Sequence, residues 1–166
     1  MSFSVGSKVV YPAHGVAEVL GSEKRTIEGK KVTCLIFSLP QRGWSTRGGM
    51  TVSVPEDRVD DVGIREAVSV EDADDVLKVL AVTDARVPSN WSRRFKNHQE
   101  KLKSGDVFQC AEVVRNLANR QRSGKLSTAE TSMYANARHL LASELAVSWG
   151  IDHEAAEERV DGALGI

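Results

Sequence analysis

The sequence predicts an α+β chain of two domains, a small strand-rich one over residues 1–65 and a compact bundle of about five helices over residues 66–166. Before residue 65 the apolar residues form short Val- and Ile-rich runs broken by Gly, Pro and charged turns, the grammar of strands. Beyond it they recur at three- and four-residue spacing between capping residues, the grammar of packed helices. Charge separates too: residues 86–139 carry 11 Lys/Arg against 4 Asp/Glu, although the whole chain has a net charge of only -1.

The first strands are read from "KVVYPAHGVAEVLG", where Pro12 and Gly15 set a turn with His14 at its exposed corner. "TIEGKKV" is a hairpin turn in which Gly29 supplies a positive φ. "KKVTCLIFSL" and "MTVSVP" are further strands. Several short strands in so little chain predict a strongly bent sheet or SH3-like barrel, an architecture with little interior that binds more often than it catalyses. Between the last two strands, "LPQRGWSTRGGMT" is a polar loop with Trp44 between Arg42 and Arg47; it reads either as a solvent-exposed tip or as a binding loop.

In the second half the helix starts are punctuated. Ser69 with Asp72, Ser89 or Asn90, Asp106 after Gly105, Ser127 with Glu130, and Asp152 each supply an N-cap before a periodic apolar run. Val107, Cys110, Ala111, Val114 and Leu117 lie on one helical face, as do Met133, Ala137, Leu140, Leu141 and Leu145. Trp149 extends the second stripe and reads as packing.

With 41% apolar and 27% charged residues, the composition is that of an ordinary soluble globular protein. No run of about 18 apolar residues occurs, and the start lacks the pattern of a secretory signal, so neither a membrane span nor export is expected and the chain reads as cytoplasmic. Cys34 and Cys110 lie in apolar runs and read as buried free thiols. His14, His98, His139 and His153 are scattered, with no metal-ligand or nucleophile spacing. The expectation is therefore no enzyme, no cofactor and no metal.

The basic middle begins at "NWSRRFKNHQEKL". At 100° per residue Trp91, Phe95, His98 and Leu102 form one narrow stripe, flanked by Arg94 and Lys101, while Arg93, Lys96 and Lys103 point elsewhere. Periodicity thus favours packing of Trp91 beside Phe95. Its place in the first turn, which covers surface beyond the helix N-terminus, and the adjoining arginines favour a rim that meets phosphates.

Taken in order, "VGSKVVYPAHGVAEV", "MTVSVP" with "VGIREAVS", "NWSRRFKNHQEKLKSGDVFQCAEVVRNL" and "LSTAETSMYANARHLLASELA" resemble the CarD/CdnL family of bacterial RNA polymerase-binding transcription regulators, as far as about residue 148. The resemblance implies a Tudor-like domain that docks on the RNA polymerase β subunit, and a helical domain that contacts promoter DNA in the minor groove and along the backbone with little sequence specificity. It implies that Trp91 is a wedge at the upstream edge of the melted bubble, with Arg93, Arg94 and Lys96 as the adjoining basic positions, and that the protein stabilises the open complex. On the polymerase-facing domain Arg25 matches a position that is basic in some relatives. Ser53 stands where many actinobacterial relatives have a second basic contact, and the 41–49 loop is longer than usual, so Arg42, Trp44 or Arg47 is expected to replace that contact. A monomer is expected. The alternative is a protein-interaction adaptor on RNA polymerase without productive DNA contact.

Overall fold

The computed structural model describes residues 3–12, 14–39 and 50–166. It divides into two compact units, Met1–Ala67 and Val68–Ile166.

The first unit is a five-stranded antiparallel sheet of β1 (Lys8–Tyr11), β2 (Gly15–Ile27), β3 (Lys30–Ser38), β4 (Thr51–Pro55) and β5 (Arg65–Glu66). Strand order is β4-β3-β2-β1-β5. Ile27 pairs with Lys30 across a two-residue turn, with Glu28 at φ 51° and Gly29 at φ 79°. Two successive positive φ angles are what a tight hairpin that keeps the right-handed strand twist requires. Along β2, alternate residues Gly15, Ala17 and Val19 are buried until the register slips between Val19 and Gly21, a bulge that leaves Leu20 exposed. One face collects Val9, Ala17, Val19, Leu35, Phe37, Leu39 and Val54. Val59 and Ile64 join this core from the segment linking β4 to β5, which holds a short helix α1 (Val59–Val62) ended by Gly63 at φ 88°.

The expected closed barrel is not formed among the described residues. β4 and β5 are the two edges of an open sheet, and with five and two residues they offer little backbone for a closing ladder.

The second unit holds α2 (Val70–Leu80), α3 (Trp91–Lys103), α4 (Val107–Ser123), α5 (Thr128–Trp149) and α6 (His153–Leu164). Each starts on an oxygen that accepts a backbone N–H: Ser69 from Asp72, Asn90 from Arg93, Asp106 from Phe108, Ser127 from Glu130 and Asp152 from Ala155. Such a cap is worth about 1 kcal/mol, because it satisfies a donor that the helix cannot pair. α4 and α5 supply most of the core, with Ala111, Val113, Val114, Leu117, Ala137, Leu141 and Leu145 buried against Val76 and Leu80 of α2 and Val160 of α6. Trp149 packs on this core while its Nε1–H donates to Asp74 at 2.9 Å and Arg159 lies over its ring. No helix among the described residues is long and apolar enough to cross a membrane.

Candidate functional site

At the first turn of α3, Trp91 is 43% exposed although it stands on the apolar stripe of its helix. Two contacts hold it. Its indole stacks on Phe95, with centroids 5.0 Å apart and planes 8° from parallel, and its Nε1–H donates to Ser127 Oγ at 3.2 Å. The i, i+4 spacing gives the first contact, and the approach of α5 to α3 gives the second. The indole is thus fixed on one face and at its nitrogen, and its remaining surface is open to solvent.

Ser127 is itself the N-cap of α5. Its Oγ accepts the Glu130 N–H at 3.1 Å and donates to Glu130 Oε1 at 3.1 Å, while its own N–H reaches Oε1 at 3.4 Å. This completes a capping box. Glu130 in turn accepts Arg94 Nε at Oε2, 3.0 Å away, and Arg94 Nη2 at Oε1, 3.4 Å away. Arg94 Nη1 donates to the Ser89 carbonyl at 3.1 Å, tying down the chain that leads into α3. A continuous hydrogen-bonded path thus runs from the exposed indole through Ser127 and Glu130 to Arg94.

Arg94 is therefore corrected from a surface contact to a buried one. It is 1% exposed, as is Glu130, and its guanidinium is committed to the carboxylate and the loop carbonyl. A charge this deeply buried has to be paired, and the planar fork of arginine matches a carboxylate at two points. Arg93 and Lys96 are exposed on the other side of α3. The fold adds a cation that helical spacing alone does not bring to this corner: Arg120, near the end of α4, is partly exposed with its Nε 3.8 Å from Glu130 Oε2. Lys125, exposed in the turn before α5, lies two residues from Ser127.

Burial of the Glu130 carboxyl favours its neutral form, yet the hydrogen bonds from Arg94 and Ser127 and the arginine charge outweigh this and hold its pKa below the ordinary value. His98, 1% exposed on the same helix, is pushed down to about 4 by burial and then by the charge of Lys101. Its Nε2 lies 3.4 Å from Asn116 Nδ2, and its Nδ1 has no hydrogen-bond partner. Both depressed values act in one direction. The unfolded chain binds a proton at His98 near pH 6.5 and the folded chain near 4, so stability falls as pH drops through that window, by up to about 3 kcal/mol. Protonation of Glu130 removes more at still lower pH. Urea midpoints that decline from pH 7 to 4.5, with an NMR titration of the His98 ring centred near 4, are the expected outcome; a ring titrating near 6.5 would contradict it.

On the sheet, Arg25 is exposed on β2 and paired with Glu23. Ser53 is half-buried on β4, its Oγ sealed from solvent and without a partner among the described residues. Arg42, Trp44 and Arg47 lie outside the described residues. Cys34 is buried, and Cys110 is partly buried with its Sγ 3.5 Å from the Ala137 carbonyl. His139 and His153, 14 residues apart, are brought together with Glu157 by α5 and α6.

Two family models match the chain: one described as the CarD-like/TRCF RID domain over residues 3–68, and one described as the CarD C-terminal domain over residues 75–161, slightly more than half of the sequence. A curated protein of Bacillus subtilis (strain 168), named "Putative transcription factor YdeB", is 26% identical over 149 residues, covering 90% of this chain and 94% of its own length.

Proposed function

Because the chain belongs to the CarD family of transcription regulators, we propose that it binds the β subunit of RNA polymerase through its sheet unit and promoter DNA through its helical unit, stabilising the open complex. The observation that carries this reading is the exposed, immobilised Trp91 with Arg93 and Lys96 exposed on the same helix. An aromatic wedge in the minor groove supports unstacked, bent DNA better than regular duplex. Lysine and arginine around it add affinity without reading bases. Opening is then favoured by the difference in affinity between the two DNA states, and about 1.4 kcal/mol of difference favours it tenfold.

Arg93 and Lys96 are the phosphate contacts in this proposal, joined by Arg120 and Lys125. Arg94 serves as a positioning residue, because its charge is consumed inside the protein. On the sheet, Arg25 is the proposed polymerase contact. Ser53 brings no charge and is half-buried, so Arg42, Trp44 or Arg47 of the 41–49 loop is the proposed replacement. Docking on polymerase raises the local concentration of the helical unit near the promoter, so weak intrinsic DNA affinity suffices.

The test measures open-complex formation with purified RNA polymerase over a series of salt concentrations. Arg93→Ala and Lys96→Ala are each expected to reduce the slope of log affinity against log salt by about one, the signature of one lost phosphate contact. Unchanged slopes, with polymerase binding retained, would favour the adaptor that does not touch DNA productively.

A further inference from the structure

A second cluster of chemistry-bearing side chains lies where α6 packs on α5. The two helices approach closely over small residues, with Ala142, Ala146 and Ala156 buried together. Beside that seam stand His139 of α5 and His153 and Glu157 of α6, each offering one ligand atom, and these atoms lie within 4.8 Å of one another. The imidazole centroids are 4.7 Å apart and the rings are tilted by 48°. His153 and Glu157 are an i, i+4 pair, so they project from one face of α6.

Local hydrogen bonding already orients these groups. Ser143 Oγ donates its one proton to the His139 carbonyl at 2.7 Å, so toward His153 Nδ1, 3.4 Å away, it can only accept. In the tautomer with the proton on Nδ1, the Nε2 lone pair lies on the side of Glu157, as a metal ligand requires. Nε2 is sealed from solvent and lies 2.6 Å from Glu157 Oε1, so the imidazole and the carboxylate face one another directly. An imidazole nitrogen and a carboxylate oxygen that already face one another need to part by only about 0.8 Å to become neighbouring ligands of one ion. Arg138 holds the other oxygen of Glu157, with Nη1 3.3 Å from Oε2, and pairs with Asp161 at 2.7 Å. Glu157 is therefore oriented by a neighbour while Oε1 faces the imidazole.

From this geometry we propose that His139, His153 and Glu157 form a binding site for a divalent transition-metal ion of the zinc class. Two imidazoles and one carboxylate are a ligand set such ions take at about 2.0–2.2 Å. A tetrahedral ion would space its ligand atoms roughly 3.4 Å apart, so small side-chain rotations close the site. The fourth position is open to water, and the exposure of His139 gives the ion a way in. Bound metal would fasten α6 to α5 beside the tie that Arg138 already makes to Glu157 and Asp161.

The test is calorimetry of the full-length protein, freed of metal by chelation, titrated with zinc chloride, together with cobalt(II) absorption spectroscopy. One ion per chain with micromolar affinity, a visible cobalt spectrum of low coordination number and a higher melting temperature with zinc are expected. His139→Gln, an exposed change, and Glu157→Gln should each weaken binding at least tenfold with unchanged circular dichroism. Absence of saturable binding below about 1 mM would overturn the proposal. So would zinc binding of wild-type strength in a His139→Gln/His153→Gln double variant, which would place the ion elsewhere. Neither measurement involves polymerase or DNA, so the outcome is separate from that of the promoter assay.

Discussion

Trp91→Ala is expected to leave the protein folded and to shorten the lifetime of the open promoter complex about tenfold or more, the effect of losing roughly 1.4 kcal/mol of preference for melted DNA. The structural cost is limited by what the indole touches. Stacking on Phe95 is worth about 0.5–1.5 kcal/mol, and the bond to Ser127 has a net value of about 1 kcal/mol that water partly restores at an exposed site. Chemical denaturation should thus register a loss of about 1–2 kcal/mol. A loss above about 4 kcal/mol, the scale of an emptied aromatic core site, would mean that the side chain serves packing. Trp91→Phe refines the comparison, because it keeps an aromatic face for Phe95 and for DNA but cannot donate to Ser127. If the wedge depends on being held, this variant will melt like the wild type while its open complexes decay faster.

Glu130→Ala is expected to cost about 3–5 kcal/mol, because it leaves the Arg94 guanidinium buried with no anion. It also removes the return half of the α5 capping box. Much of the stability of an ordinary domain would be lost, so the measurement should be a full urea transition at low temperature. Glu130→Gln retains the shape and one acceptor oxygen and should cost less. If Arg94→Met is made together with Glu130→Leu, the pair is replaced by apolar groups of similar volume and most of the loss should be recovered. A double variant no more stable than Glu130→Ala would show that the residues matter through capping rather than through their charges. The NMR signal of the Trp91 indole N–H in Glu130→Gln reports whether the indole shifts when its support is weakened.

What was legible in the sequence follows from how local each signal is. All five N-caps of the helical unit and the tight turn at Glu28 and Gly29 depend on contacts within four residues, and the chain carries them in its residue order. Sheet closure depends on the lengths of edge strands and on where they end, which apolar alternation does not specify; β4 and β5 accordingly remain edges. Around the candidate site, helical periodicity placed Phe95 and Leu102 against the core, where they lie. It set Arg94 beside that stripe, and the family resemblance then counted it among the DNA-facing cations; its burial was not legible because its acid, Glu130, lies 36 residues away. Trp91 had contradictory signals, an apolar stripe against a first-turn position among cations, and it is partly exposed while stacked on Phe95. His139 and His153 looked scattered for the same reason that Arg94 looked exposed, since only the turn between α5 and α6 brings them together.

The Ser127 hydroxyl has a further consequence. It begins a helix and holds an indole that belongs to another, so fraying of that terminus also releases the indole nitrogen. Helix ends open more readily than helix centres, with free energies far below that of global unfolding. The opening free energy of the first turn of α5, where Glu130 is tied to Arg94, therefore helps to set how firmly the indole is held, beside its stack on Phe95. Amide hydrogen exchange at Glu130 would measure that quantity in the free protein, before any nucleic acid is present.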